Sequence, residues 1–166
     1  SEYFTDIIAK IGENIVLRRI SFLNNDSNSE FYSYTHNAYE PNIGKICVLL
    51  KAEVKNNDEE TKQFGKNLCM HIAASKPIAL DVDKLALSFI EKERDVQLAT
   101  IKSSGKPENI IEKILEGKMK KYFSEITLLN QSYIFDTDKD VRKAVLDFSS
   151  NNIFNILNFE LFVLAS

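Results

Sequence analysis

Two amphipathic stretches separated by a breaker constrain this chain more than any other feature. Over residues 82–99, apolar side chains recur at three- and four-residue steps through Val82, Leu85, Phe89, Val96 and Ala99, with Lys92 as the one interruption of the seam. The same period returns through Ile111, Leu115, Tyr122, Ile126 and Leu129, with either Lys118 or Met119 completing it. Such spacing gives each segment one narrow apolar stripe on a helical face. Between them stands Ser103-Ser104-Gly105-Lys106-Pro107. Gly105 suits the left-handed position after a helix, and Pro107 the first position of the next one. Two helices of about five turns each must then fold back on one another. Narrow seams and charged flanks predict an antiparallel coiled-coil hairpin over about 82–129, its outer part standing in solvent.

The flanking segments supply a sheet. Residues 6–11 read as the end of a helix that Gly12 terminates. Residues 16–22 are β-branched and apolar with Arg18 and Arg19 interspersed, which predicts a strand, and 24–29 form a polar turn cluster. Residues 31–36 form a second strand, whose alternation puts Tyr32, Tyr34 and His36 on one face. After a loop over 39–44 containing Pro41, the continuously apolar run 46–50 reads as a central strand. Short links between three such strands make an antiparallel meander the simplest topology. A helix follows, capped by Asn57 or Asp58, carrying Phe64, Leu68 and Ile72 on one face and stopped by Pro77. Beyond the hairpin come a return over 130–139, a short helix near 141–148 and a closing strand from Ile153. The expected class is α+β: one domain over 1–166, a small antiparallel sheet packed against helices, with the helical hairpin protruding.

Composition narrows the function. A net charge of −3 supplies no general basic field, which argues against nucleic-acid or anionic-membrane binding. No apolar run has the length of a membrane span. Two cysteines, Cys47 and Cys69, both within apolar patterns, fit small buried hydrophobes in a reducing cytoplasmic setting. There is no glycine-rich phosphate loop, no His or Cys pair at metal-ligand spacing and no nucleophile elbow. No cofactor and no side-chain catalysis are expected. His71 reads as a hydrogen-bonded helix-edge histidine, and Lys118, Lys120 and Lys121, among Glu112, Glu116 and Glu125, as a solvated face. The Tyr32, Tyr34, His36 face is either an interface or, if a helix covers it, core.

Six segments, in order along the chain, resemble the elongation factor Ts family. They are Lys10-Ile11-Gly12-Glu13-Asn14-Ile15, followed by Arg18-Arg19; Met70-His71-Ile72-Ala73-Ala74-Ser75-Lys76-Pro77; Ile90-Glu91-Lys92-Glu93-Arg94; Ser104-Gly105-Lys106-Pro107; and Glu116-Gly117-Lys118-Met119-Lys120-Lys121. The resemblance implies the family's dimerisation-domain fold and a non-catalytic guanine-nucleotide exchange factor, one that binds elongation factor Tu and promotes GDP release. An exchange factor works by binding the nucleotide-poor state of its partner more tightly than the GDP-bound state, which needs no catalytic side chain. It further implies partner contacts at Ile11 and Gly12, at His36, and at Ile134 and Phe135. For that last pair the alternative is a plain cap on the core.

The chain also departs from the family pattern. It has no counterpart to the N-terminal helical module, and no Thr-Asp-Phe-Val string occurs in it. Ser1-Glu2-Tyr3 therefore looks like a cut point or a shortened start. The expectation is a fragment that binds elongation factor Tu weakly and exchanges poorly. A homodimer or a 2:2 complex is open, and the rival reading is an interaction or dimerisation module without exchange activity.

Overall fold

The computed structural model describes residues 2–26, 28–105, 107–150 and 152–164. Helix α1 (Glu2–Ile11) ends where Gly12 takes φ +77° and returns its amide to Ile8. Strands β1 (Ser29–Glu40) and β2 (Ile43–Val54) form a long antiparallel hairpin. Its turn is tighter than the loop expected over 39–44: only Pro41 and Asn42 lie outside the strands, and Asn42 bends the chain at φ +64°. Helix α2 (Glu59–Ser75) is capped by Asp58, whose carboxylate accepts from the Thr61 amide, and ends with Lys76 in the left-handed region just before Pro77.

The third strand of the sheet is not the one the sequence suggests. Residues 16–22 form no strand, and β2 is instead flanked on its far side by β5 (Phe154–Val163), giving the order β1-β2-β5. The central position of β2 holds, whereas a meander of consecutive strands does not. The residue types in 16–22 favour extended backbone, but neither sheet edge pairs with them. The segment is tethered by Arg19, whose guanidinium donates to the Leu161 carbonyl and stacks 4.0 Å over the Phe162 ring, and the chain just beyond it by Asp26, which pairs with Lys51.

A bulge in β5 explains its sequence. Lys51 pairs with Asn158 and Ala52 with Ile156, leaving Leu157 as the extra residue. The inserted residue reverses the alternation, so Phe154 and Ile156 before it and Phe159 and Leu161 after it all face the core. That core joins Tyr32, Val48, Leu50 and Ala52 of the hairpin to Leu68, Cys69 and Ile72 of α2.

Helices α3 (Leu87–Ser103) and α4 (Glu108–Ile126) pack on each other around buried Ile101, Leu115 and Met119. The first helix starts later than the periodicity implies. Residues 82–84 make a single 3-10 turn capped by Asp81, and α3 begins after Ala86. Its inward seam is also displaced. Ile90 and Ile101 turn towards α4 and Val96 is largely exposed, while Phe89, at the seam's edge, stacks its ring 6.4 Å from that of Tyr122. On α4 the expected Ile111, Leu115 and Tyr122 do pack inward, and Met119 rather than Lys118 completes the stripe. Gly105 takes φ +69°, and Pro107 caps α4 instead of opening it.

The base of the pair is fixed by Asp81. It accepts from the Val82 amide at 2.8 Å, from Asn130 Nδ2 at 2.8 Å and from the Arg142 guanidinium. After the 3-10 turn Leu128–Asn130 comes a small hairpin that the sequence reading did not anticipate, β3 (Ser132–Tyr133) and β4 (Asp136–Asp140), then α5 (Val141–Ser149).

Candidate functional site

The residues singled out from the sequence fall on three separate elements. Ile11 is the last residue of α1 and is mostly exposed, with Gly12 immediately beyond it. Gly12 carries a positive φ, which an L side chain would adopt only with strain, so its role in ending α1 is conformational.

His36 lies on the same face of β1 as Tyr32 and Tyr34, and that face changes character along its length. Tyr32 is buried beneath α2, its hydroxyl donating to Asn57 Oδ1 at 3.1 Å, and burial pushes that hydroxyl up to about 12. Tyr34 is half-buried and His36 exposed. A 12-residue strand extends about 40 Å, whereas a 17-residue helix covers about 25 Å, so the strand outruns the helix laid on it. The face is therefore core at Tyr32 and open surface at His36. The Tyr34 hydroxyl stands 3.2 Å from His36 Nδ1, which limits the ring's freedom.

Ile134 and Phe135 form the two-residue tip between β3 and β4, since Tyr133 pairs with Asp136. Both are partly exposed, at 41% and 48%, so each offers apolar surface to solvent while the rest of the side chain packs on the protein. Tyr133, directly before them, is buried against Phe64 and His71, and its ring packs 5.5 Å from that of Phe135. Below the tip, Lys139 bridges Asp136 and Asp147, which ties β4 to α5.

His71 holds a place that sequence reasoning missed. Far from the helix edge, it is fully buried, with Nε2 3.0 Å from Gln131 Oε1 and Nδ1 3.4 Å from the Ile134 amide nitrogen. Burial holds its pKa below the usual histidine range, opposed in part by the Gln131 contact. No local signal marks the pair: a histidine and a glutamine 60 residues apart satisfy each other only once the chain has folded.

The three positions stand on different elements: the end of α1, β1 and the tip between β3 and β4. Among the described residues, no hydrogen bond or ring contact links His36 to Ile134, Phe135 or Ile11. Nor do the described residues gather three or more His, Cys, Asp or Glu side chains able to hold a metal. A groove of about 660 Å³ between the linker after α2 and the free edge of β5 carries Arg19, Lys76, Lys84 and Glu160, and its lining holds no Ser, Thr, Cys or His. No described helix is long and apolar enough to cross a membrane. What the surface does present is exposed apolar and aromatic side chains set on ordered supports, the kind of anchor that protein interfaces use.

Comparison with known proteins agrees with the resemblance carried by the sequence motifs. The family model described as Elongation factor TS matches residues 1–165. The chain is 45% identical over 139 residues to elongation factor Ts of Roseobacter denitrificans, covering 84% of this chain and 45% of that protein. It is 41% identical over 143 residues to the Paracoccus denitrificans protein, covering 86% and 47% respectively. For Parvibaculum lavamentivorans the identity is 37% over 144 residues, covering 87% and 46%. The chain thus spans about half the length of the curated relatives it matches. With motifs, fold elements and a match over nearly every residue in agreement, this chain belongs to the elongation factor Ts family.

Proposed function

We propose that this chain is the part of a translation elongation factor that docks on elongation factor Tu, and that it assists guanine-nucleotide exchange there as a non-catalytic binding partner. The observation that carries this reading is the family match over residues 1–165. It is supported by the exposure of the implied contact residues, Ile11, His36, Ile134 and Phe135. Phe135 serves as an apolar anchor and His36 as a polar contact, with the turn at Ile11-Gly12 as a third point. The α3–α4 pair is read as an antiparallel coiled-coil arm, supported by its inward stripe and by Arg94 reaching across to Glu112. Translation places the work in the cytoplasm, without a cofactor.

These residues by themselves should bind more effectively than they exchange. Exchange requires a preference for the nucleotide-free state, and docking energy that does not distinguish the two states supplies none. The test is release of labelled GDP from elongation factor Tu, with parallel pull-down, using the chain and its His36→Ala and Phe135→Ala variants. Binding that either substitution weakens, with little acceleration of release, is the expected result. Strong acceleration would overturn the weak-exchange part of the reading. Absence of binding by the folded chain would overturn the docking part.

A second reading has its own support. Val16, Ile20 and Phe22 are exposed at 65%, 61% and 84% on a segment with β-forming residues and no strand partner. Such a segment favours association of the chain with another copy. Light scattering across a concentration series distinguishes a self-associating module from a monomer.

A further inference from the structure

Buried histidines are expensive unless both ring nitrogens are matched, and the surroundings of His71 match them in only one protonation pattern. The Gln131 amide nitrogen donates to the Ser75 carbonyl at 3.2 Å and to the Glu125 carbonyl at 2.8 Å. Both of its hydrogens are thereby used, and the amide oxygen is the atom that faces the histidine. An oxygen can only accept, so His71 Nε2 must carry the ring proton. Nδ1 is then bare and accepts from the Ile134 backbone N–H at 3.4 Å, a long bond.

This fixes a chain of oriented groups. The carbonyls at the end of α2 and of α4 orient Gln131, Gln131 orients His71, and His71 takes hold of the first residue of the exposed tip. The Gln131 backbone continues the junction, its carbonyl accepting from the Val141 amide at 2.9 Å where α5 begins. A leucine or phenylalanine in place of His71 would fill the space without engaging either neighbour.

We propose that His71 is a positioning residue: with its tautomer set by Gln131, its Nδ1 holds the Ile134 amide and so aims the Ile134–Phe135 tip at the protein partner. The aiming half rests on the reading of the tip as a docking element for elongation factor Tu. The holding half concerns this chain alone.

Two isosteric substitutions separate positioning from simple packing. In His71→Asn the side-chain oxygen takes the place of Nδ1 and keeps an acceptor for Ile134. In His71→Gln the amide nitrogen takes the place of Nε2 and keeps the contact with Gln131 but not the acceptor. Hydrogen exchange of the Ile134 amide, referenced to the Leu68 amide in the core, should be roughly threefold to tenfold faster in the Gln variant than in the Asn variant. Binding to elongation factor Tu should weaken by a similar factor in the same order, and that difference should vanish in a Phe135→Ala background. Nitrogen-15 NMR of the unsubstituted chain should show the Nε2–H tautomer, a reading that does not depend on either variant folding. An Nδ1–H tautomer, or equal Ile134 exchange in the two variants, would overturn the holding role. A binding difference that persists without the Phe135 ring would overturn the aiming role. Should the unsubstituted chain fail to bind at all, the docking reading itself falls, and tautomer and amide exchange alone decide the holding role.

Discussion

Gly65, in the middle of α2, lies flat against the ring of Tyr32: a Cβ at that position would come to under 3.0 Å of three ring carbons. A glycine inside a helix is costly, by roughly 1 kcal/mol relative to alanine, so its presence calls for a compensating contact. Here the missing side chain lets α2 approach the sheet closely enough for Tyr32 to stack against Phe154 and to reach Asn57 with its hydroxyl.

Gly65→Ala should therefore destabilise the chain, although the substitution improves helix propensity. Overpacking of a close contact typically costs about 1–3 kcal/mol, against a gain of about 1 kcal/mol. Urea unfolding should show a net loss. A net gain near 1 kcal/mol would mean that Tyr32 moves aside freely and that the close approach has no structural weight.

The same helix sets a pH prediction through His71. Burial lowers its folded pKa below the ordinary 6.5, so between those two values the unfolded chain binds more protons than the folded one. Stability then rises with pH in that window. The contribution is complete above about 6.5 and is lost as pH falls towards the folded value, with a slope of at most about 1.4 kcal/mol per pH unit for one proton. Unfolding free energies measured from pH 7.5 down to 5 should decline, and His71→Asn should flatten the decline. Asp58, Asp81, Asp136 and Asp147 are also shifted, but all below 3.8, so their effect begins at more acid pH and can be separated. An unchanged slope in the His71 variant would show that some other group titrates.

What could be read from the sequence was local. Capping at Asp58, the breaks at Gly12, Pro77 and Gly105 and the apolar centre of β2 all depend on a few neighbouring residues, and all appear in the structure. What could not be read depends on partners distant in the chain. Residues 16–22 have strand chemistry, but pairing is decided by which edge is free, and β5 supplies the third strand from more than 100 residues away. The Ile134–Phe135 tip was named from the resemblance. Its support was illegible because His71 and Gln131 meet across 60 residues, and neither signals the other in sequence. His36 was ambiguous for a geometric reason: alternation gives the face of a strand but not where the covering helix stops.

The two cysteines should react very differently. Cys69 is fully buried in the core, and desolvation pushes its thiol up to about 12 against an opposing contact with the Leu50 backbone. The thiolate is the reactive form, so Cys69 should resist a neutral thiol reagent in the folded chain and react only after unfolding. Cys47, half-buried on β2 beside the tether segment, should label first. Mass spectrometry after brief labelling checks the order. Rapid modification of Cys69 under native conditions would show that the core opens far more often than its packing implies.

The register of the α3–α4 pair gives the sharpest contrast between pattern and packing. A seam through Val82, Leu85, Phe89, Lys92, Val96 and Ala99 satisfies helical periodicity, yet it places a lysine at its centre. The observed seam, rotated towards Ile90 and Ile101, leaves Lys92 in solvent and buries Ile101 against Leu115 and Met119. Avoiding an unpaired buried ammonium is sufficient reason for the rotation. Ile101→Ala should then cost about 2–5 kcal/mol of whatever stability the pair contributes, the range for emptying a packed aliphatic site. Val96→Ala, at a position 52% exposed, should stay within about 0.5 kcal/mol. Helix content followed by circular dichroism during thermal unfolding would register both. If Val96→Ala proved the more damaging, the seam would lie where the periodicity first put it, and α3 would have to turn by about 100°, one residue, about its own axis.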